Sequence, residues 1–125
     1  MKTGWKKYKL GEVVKILNGG TPKSEISEYW NGNIAWITPK DMGKLKNLYV
    51  YNTSRTISDI GLQKSSAKLI PENSVILSTR APIGHLAINI IPMATNQGCR
   101  GLIPNQELNT KFLFYFLKLN VDLLN

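Results

Sequence analysis

Apolar positions along this chain come in short runs separated by Gly, Pro, Asn and Ser. The spacing inside each run predicts the element it forms. Leu10, Val13, Val14 and Leu17 stand at i, i+3, i+4 and i+7, which predicts a short amphipathic helix in the lysine-bearing stretch Trp5 to Leu17. Asn18-Gly19-Gly20 would end it. Residues 21–33 read as a loop closed by Asn31-Gly32-Asn33, and Ile34 to Thr38 alternates as a strand does. Thr38 as N-cap and Pro39 at the first helical position predict one helical turn over 39–42. Tyr49 to Ile57, rich in β-branched and aromatic residues, reads as one strand. Ser58-Asp59 caps a short helix through Leu62, and residues 64–68 are a polar connection.

The second half begins with a turn at Pro71-Glu72-Asn73. The two clearest strands, Val75 to Thr79 and Leu86 to Ile91, follow, joined tightly through Arg80-Ala81-Pro82-Ile83-Gly84-His85. Ala94 to Gly101 is a small-residue, amide-bearing segment, and Leu102-Ile103 is a brief strand. From Asn109 to Leu124 the period becomes helical. At about 100° per residue Lys111, Lys118 and Asp122 form a narrow polar strip, and most of the remaining circumference is apolar. Such a helix is either central or packs its second face on a partner. The partner-facing reading is preferred, since no helix stop signal follows. Asn120, inside the apolar arc, is either a surface residue or a polar register pin. The expected fold is α+β: a single compact domain with a twisted mixed or antiparallel sheet, short helices and the apolar C-terminal helix.

Charge adds a partner class. Sixteen Lys and Arg stand against eight Asp and Glu, a net charge of +8, and nine of the sixteen cations precede residue 50. Arginine occurs only as Arg55, Arg80 and Arg100. Such an excess attracts polyanions, phosphate backbones above all. Cys99 stands alone, so no disulfide framework or thiolate cluster is expected, and a reducing compartment is indicated. The first ten residues hold no apolar signal region and no run reaches a membrane span, so the cytoplasm is the expected location and no membrane association is expected.

Candidate chemistry is sparse. His85, the single histidine, lies in a turn without an evident orienting partner. The carboxylates are scattered and suggest no metal site. No G-x-G-x-x-G, phosphate-binding G-x-x-x-x-G-K or G-x-S-x-G motif is present. Gly19-Gly20-Thr21-Pro22 has neither a preceding predicted strand nor the Lys-Ser/Thr ending of a phosphate loop. The chain reads as a binding module, with no cofactor expected.

The segments carry more information in order than singly. Trp5 and Leu10-Gly11-Glu12-Val13-Val14 lead to Gly19-Gly20-Thr21-Pro22, then Tyr29-Trp30-Asn31-Gly32 and Ile34-Ala35-Trp36-Ile37-Thr38-Pro39-Lys40-Asp41-Met42. Ile57 with Gly61-Leu62 precedes Ser65-Ser66-Ala67-Lys68-Leu69-Ile70-Pro71. Val75 to Gly84 runs into Asn96-Gln97-Gly98, and Phe112 to Leu117 closes the series. Over roughly residues 5–120 this resembles a target recognition domain of the type I restriction–modification DNA specificity subunit. The resemblance implies a non-catalytic module that reads one half of a bipartite duplex DNA target. It also implies methyltransferase and restriction subunits as partners, which perform the chemistry. Two such domains separated by long helices make up the family's subunit. Residues 1–108 are thus expected to be one recognition domain, and 109–125 the start of a spacer helix able to self-associate. The alternatives are a half-size or stand-alone specificity protein, an RNA or single-strand binder, and a small enzyme.

On that resemblance, Lys23, Lys40, Lys44, Lys46, Lys64 and Lys68 are candidate phosphate anchors. Thr21, Ser24, Arg55, Arg80, Asn96, Gln97 and Arg100 are candidate base readers. Asn96 and Gln97 have a competing role in holding loops together through backbone hydrogen bonds, and Arg80 could equally pair with a carboxylate. Trp30 and Trp36 are expected in the core. Gly19-Gly20-Thr21-Pro22 is expected to shape backbone, with sequence reading left to Lys23–Glu28 and Lys44–Arg55.

Overall fold

The fold, obtained as a computed structural model, is described for residues 14–105 and 108–124. Eight strands occur among them: β1 (Val14–Asn18), β2 (Trp30–Ile37), β3 (Tyr49–Val50), β4 (Arg55–Ile57), β5 (Ser74–Ser78), β6 (Leu86–Asn89), β7 (Met93–Thr95) and β8 (Cys99–Pro104). The helices are α1 (Pro39–Gly43), α2 (Asp59–Gln63) and α3 (Thr110–Leu124), with a 3-10 turn at Ser27–Tyr29. A five-stranded sheet runs β1-β8-β5-β6-β3 and a three-stranded sheet runs β4-β2-β7. Both are mixed: β3 lies parallel to β6 and β2 parallel to β7, and the other pairs are antiparallel. The α+β expectation holds.

The alternation of β2 sorts its residues between two cores. Ala35 and Ile37 point into the space between the sheets, against Ile76, Ala87, Met93 and Cys99. Trp30 and Trp36 pack on the outer side with Ile57, Ala67 and Ala94. Both tryptophans are core residues as expected, 8% and 4% exposed. The five-stranded sheet buries its other face under α3, where Leu113, Phe114 and Leu117 meet Val75, Ile88 and Leu102.

Several sequence expectations give way to tertiary pairing. Residues 14–17, expected as helix, are strand: β1 pairs with the whole of β8, from Val14 opposite Pro104 to Asn18 opposite Arg100. The earlier part of the expected helix, through Val13, lies outside the described residues. Residues three apart share a helix face but lie on opposite faces of a strand: Val14 is in the core under α3 and Leu17 packs against the core between the sheets, and the ladder to β8 decides for strand. The loop expected over 21–33 ends early. Trp30–Asn33 belongs to β2, with a register shift between Trp30 and Ile34 and with Asn31 at φ 62°. The single strand expected over 49–57 is two short strands in different sheets. Met93–Thr95 is a buried strand that overlaps the small-residue, amide-bearing segment expected over 94–101, and β8 extends well beyond Leu102-Ile103.

The caps match. Thr38 and Asp41 form a reciprocal capping box at α1, with Pro39 at its start, and Ser58 accepts from the Gly61 N–H at α2. Asn109 Oδ1 accepts from Phe112 N at 3.0 Å to open α3. The α3 helix is not central. Lys111 and Lys118 are exposed, Tyr115 is 49% and Leu119 85% exposed, and Asn120 Nδ2 donates to the Phe116 carbonyl at 2.7 Å. The Asp122 side chain lies outside the described residues.

Candidate nucleic-acid interface

The register of the two sheets brings the C-terminal ends of β1, β2, β5 and β7 and the N-terminal ends of β4, β6 and β8 to one end of the domain. The loops carrying most of the candidate DNA contacts therefore start from a common edge. Thr21, Lys23 and Ser24 follow β1, and Lys40 lies in α1 with Lys44 and Lys46 just beyond. Arg55 begins β4, Arg80 follows β5, Asn96 and Gln97 join β7 to β8, and Arg100 is the second residue of β8. Lys64 and Lys68 sit to the side, flanking the segment that covers Trp30 and Trp36. Every one of these side chains is exposed except that of Asn96, which is half-buried.

Glycine makes the junction between loops possible. A Cβ on Gly19 would lie 1.8 Å from the Asn96 carbonyl oxygen, and one on Gly20 2.2 Å from Ser66 Oγ. Gly20 N donates to Thr95 O at 2.9 Å, and Trp36 Nε1 donates to Gly20 O at 3.0 Å. The Thr21 hydroxyl then donates to Gln97 Oε1 at 2.5 Å. Asn96 Oδ1 accepts from Gly98 N at 2.8 Å, and the Gly98 carbonyl accepts from the backbone N–H groups of Thr79 and Arg80. Gly98 also lies against Pro39, and Gly43 against Pro82. Four connections thus form one continuous surface. Within it the Gln97 amide oxygen ties the β7–β8 connection to the loop after β1 through the Thr21 hydroxyl, while the Asn96 amide oxygen braces its own turn through Gly98 N.

Two contacts have no counterpart in the sequence expectations. Asp41, 9% exposed, accepts at Oδ2 from Thr38 N and Oγ1 and at Oδ1 from Ser54 N and Oγ, so it ties α1 to the approach to β4. The Thr38-x-x-Asp41 spacing signalled the cap, but nothing signalled Ser54. Arg55, in turn, stacks on Trp30, with Cζ 3.9 Å from the ring centre. No local pattern links those two positions.

The catalytic inventory is short. Burial, and secondarily the Asp41 charge, push the Cys99 thiol up to about 12, which leaves it no thiolate at neutral pH. Among the described residues no three His, Cys, Asp or Glu side chains group to hold a metal. A cavity of about 490 Å³ opens between the segment after α1, the β5–β6 connection and α3, with Lys46, His85 and Lys118 on its walls and no carboxylate among its lining residues. Among the described residues no helix is long and apolar enough to cross a membrane.

Comparison with known proteins agrees with this geometry. The family model described as Type I restriction modification DNA specificity domain matches residues 2–125. The MjaIX specificity subunit of a type I restriction enzyme from Methanocaldococcus jannaschii is 36% identical over 91% of this chain and 26% of its own length. The EcoR124I/EcoR124II specificity subunit from Escherichia coli is 35% identical over 86% of this chain and 27% of its own. The chain thus spans about a quarter of the length of these relatives. The HsdS subunit of Thermoanaerobacter tengcongensis, seen in a crystal structure, shares the fold at a TM-score of 0.73 and 23% identity, over 93% of this chain and 27% of that one. A chain from a type I R-M system studied for its assembly and conformational transition superimposes at 0.66 and 26% identity, over 92% of this chain and 27% of that one. Sequence, fold and loop edge together place this chain in the type I restriction modification DNA specificity domain family.

Proposed function

We propose that this chain is a non-catalytic, sequence-specific duplex DNA-binding module that reads one half of a bipartite target. Methyltransferase and restriction subunits carry out the chemistry in the assembled complex. The observation that carries this reading is the convergence of loops from both sheets on one basic edge, held by backbone contacts too close for side chains. Duplex DNA is a rigid polyanion, and a rigid edge with exposed lysines and arginines suits it. Single-strand binders instead need open aromatic platforms, whereas Trp30 and Trp36 are buried. Residues 1–108 act as the recognition unit, and α3 leads into a helix that faces partner subunits or a second copy.

The test is a graft. Residues 1–125 replace one recognition domain of a complete specificity subunit, and methylated adenines are mapped genome-wide. A new half-site is expected, and unchanged methylation sinks the reading. The isolated chain should also bind duplex DNA with a salt slope of roughly −4.5 to −6 if about 5 to 7 phosphates are neutralised. A slope near zero removes the electrostatic part.

A further inference from the structure

Arg55 is exposed at the start of β4, yet its surroundings are fixed on every side. Its guanidinium carbon lies 3.9 Å from the centre of the Trp30 ring and 5.5 Å from that of Trp36. The two rings meet edge to face, 5.0 Å apart with planes at 87°. Each indole N–H is already engaged, Trp30 Nε1 donating to Lys23 O and Trp36 Nε1 to Gly20 O, both at 3.0 Å. The rings therefore cannot turn without releasing the loop after β1. The backbone under Arg55 is equally constrained. The Thr53 hydroxyl donates to Arg55 O at 2.6 Å and accepts from Trp36 N at 3.1 Å. The Ser54 hydroxyl donates to Asp41 Oδ1 at 2.6 Å.

A guanidinium placed over an aromatic ring is held through its face. Its five N–H donors lie around its edge and stay available. Stacking thus fixes the fork while consuming none of its hydrogen bonds. Asn96, Gln97 and Thr21 differ, because the two amide oxygens and the Thr21 hydroxyl proton are already engaged within the fold, which breaks up the oxygen–NH2 pair an amide needs for bidentate reading. Lysines deliver point charge without direction, which is enough for phosphate; a fixed fork adds direction, and so can also match a base edge. In the major groove guanine offers O6 and N7 side by side, the pair of acceptors that a guanidinium fork spans.

Resting on the reading of this chain as a duplex DNA module, we propose that Arg55 is a specificity-determining residue that reads a guanine in the major groove. Trp30 and Trp36 act as its positioning platform. The site lies beside Lys23 and Ser24, whose loop is pinned to the same two rings.

The experiment is selection by the 125-residue chain from duplexes with a randomised core, repeated with Arg55→Lys and Arg55→Gln, with thermal unfolding of each variant as a fold control. The wild-type motif should contain a guanine. Arg55→Lys keeps the charge and should lose preference at that one position by about 5- to 150-fold, with all other positions and the salt slope kept. Arg55→Gln should lose the same position while remaining folded. Either variant returning the wild-type motif overturns the proposal. So does a uniform loss across all sequences, the mark of a phosphate contact, or an A·T run as the Arg55-dependent element, the mark of minor-groove reading. A wild-type chain that selects no motif overturns the duplex-reading function itself, a separate result from an Arg55 that does not matter.

Discussion

Replacing Asp41 by Asn tests whether one carboxylate holds α1 and the approach to β4 in place. The carboxylate accepts at Oδ2 from Thr38 N at 3.1 Å and Thr38 Oγ1 at 3.2 Å, and at Oδ1 from Ser54 Oγ at 2.6 Å and Ser54 N at 3.3 Å. Asparagine has one acceptor oxygen. Whichever end takes it, the amide NH2 at the other end meets a backbone N–H, donor against donor. The hydroxyl there can rotate to accept; the backbone N–H cannot. One bond to an ionised acceptor is therefore lost outright and the others weaken, a cost of about 2–3 kcal/mol. With an unfolding entropy of about 2.1 cal/mol/K per residue, the 125 residues give a melting-temperature drop of about 8 to 11 °C. Ser54→Ala removes one bond and should cost about 1 kcal/mol. Because the Ser54 hydroxyl bonds the carboxylate that Asp41→Asn replaces, the double variant should cost less than the sum. Urea unfolding of the four proteins reads this directly. An Asp41→Asn loss under about 0.5 kcal/mol, or strict additivity with Ser54→Ala, refutes the coupling.

The Cys99 thiol, with a folded value of about 12 against the ordinary 9.0, should resist a thiol-specific disulfide reagent at pH 8 until the chain unfolds. Since the folded value lies above the unfolded one, the stabilisation is complete below pH 9 and is lost as pH rises from 9 towards 12, by at most about 1.4 kcal/mol per pH unit. Urea unfolding across that range should show a shallower alkaline decline in Cys99→Ala. Gly19→Ala places a Cβ 1.8 Å from Asn96 O and should cost about 1–3 kcal/mol in urea unfolding. Gly43→Ala meets only Pro82 Cγ at 3.0 Å and should change little. Leu119→Lys, on a side chain 85% exposed, should stay within about 0.5 kcal/mol of the parent. Leu117→Ala, on the buried face, should lose about 2–4 kcal/mol, and calorimetry of the isolated chain separates the two.

What was legible in the sequence depended on whether a single element decides its own state. Caps are local, and Thr38, Pro39 and Ser58 announced α1 and α2 correctly. The strands β5 and β6 were visible because both faces are covered, giving continuous apolar runs. β1 departs from the helix its spacing predicts because Val14 and Leu17 are covered on opposite faces of a strand, and only β8, far along the chain, supplies the ladder that selects strand. β7 was missed because Met93-Ala94-Thr95 has no pattern of its own; its register is set by β2. At the candidate site the charge and the identity of the loops were readable. The stacking of Arg55 on Trp30 and the tie from Asp41 to Ser54 were not, since each joins residues whose proximity exists only after the sheets form.

The residues that identify the family are largely committed to the frame. Gly19 and Gly20 are committed to backbone approach, Thr21 to Gln97, and Asn96 to Gly98. A polar atom already paired within the fold must break that bond before it pairs with a base, which gives back most of what the new contact gains. A frame built this way can stay the same while targets differ. Under the proposed function, discrimination would then fall to side chains whose hydrogen-bonding groups the frame leaves open. At this edge that points to Lys23–Glu28 and Lys44–Arg55, the segments that leave the Trp30–Trp36 corner and return to it.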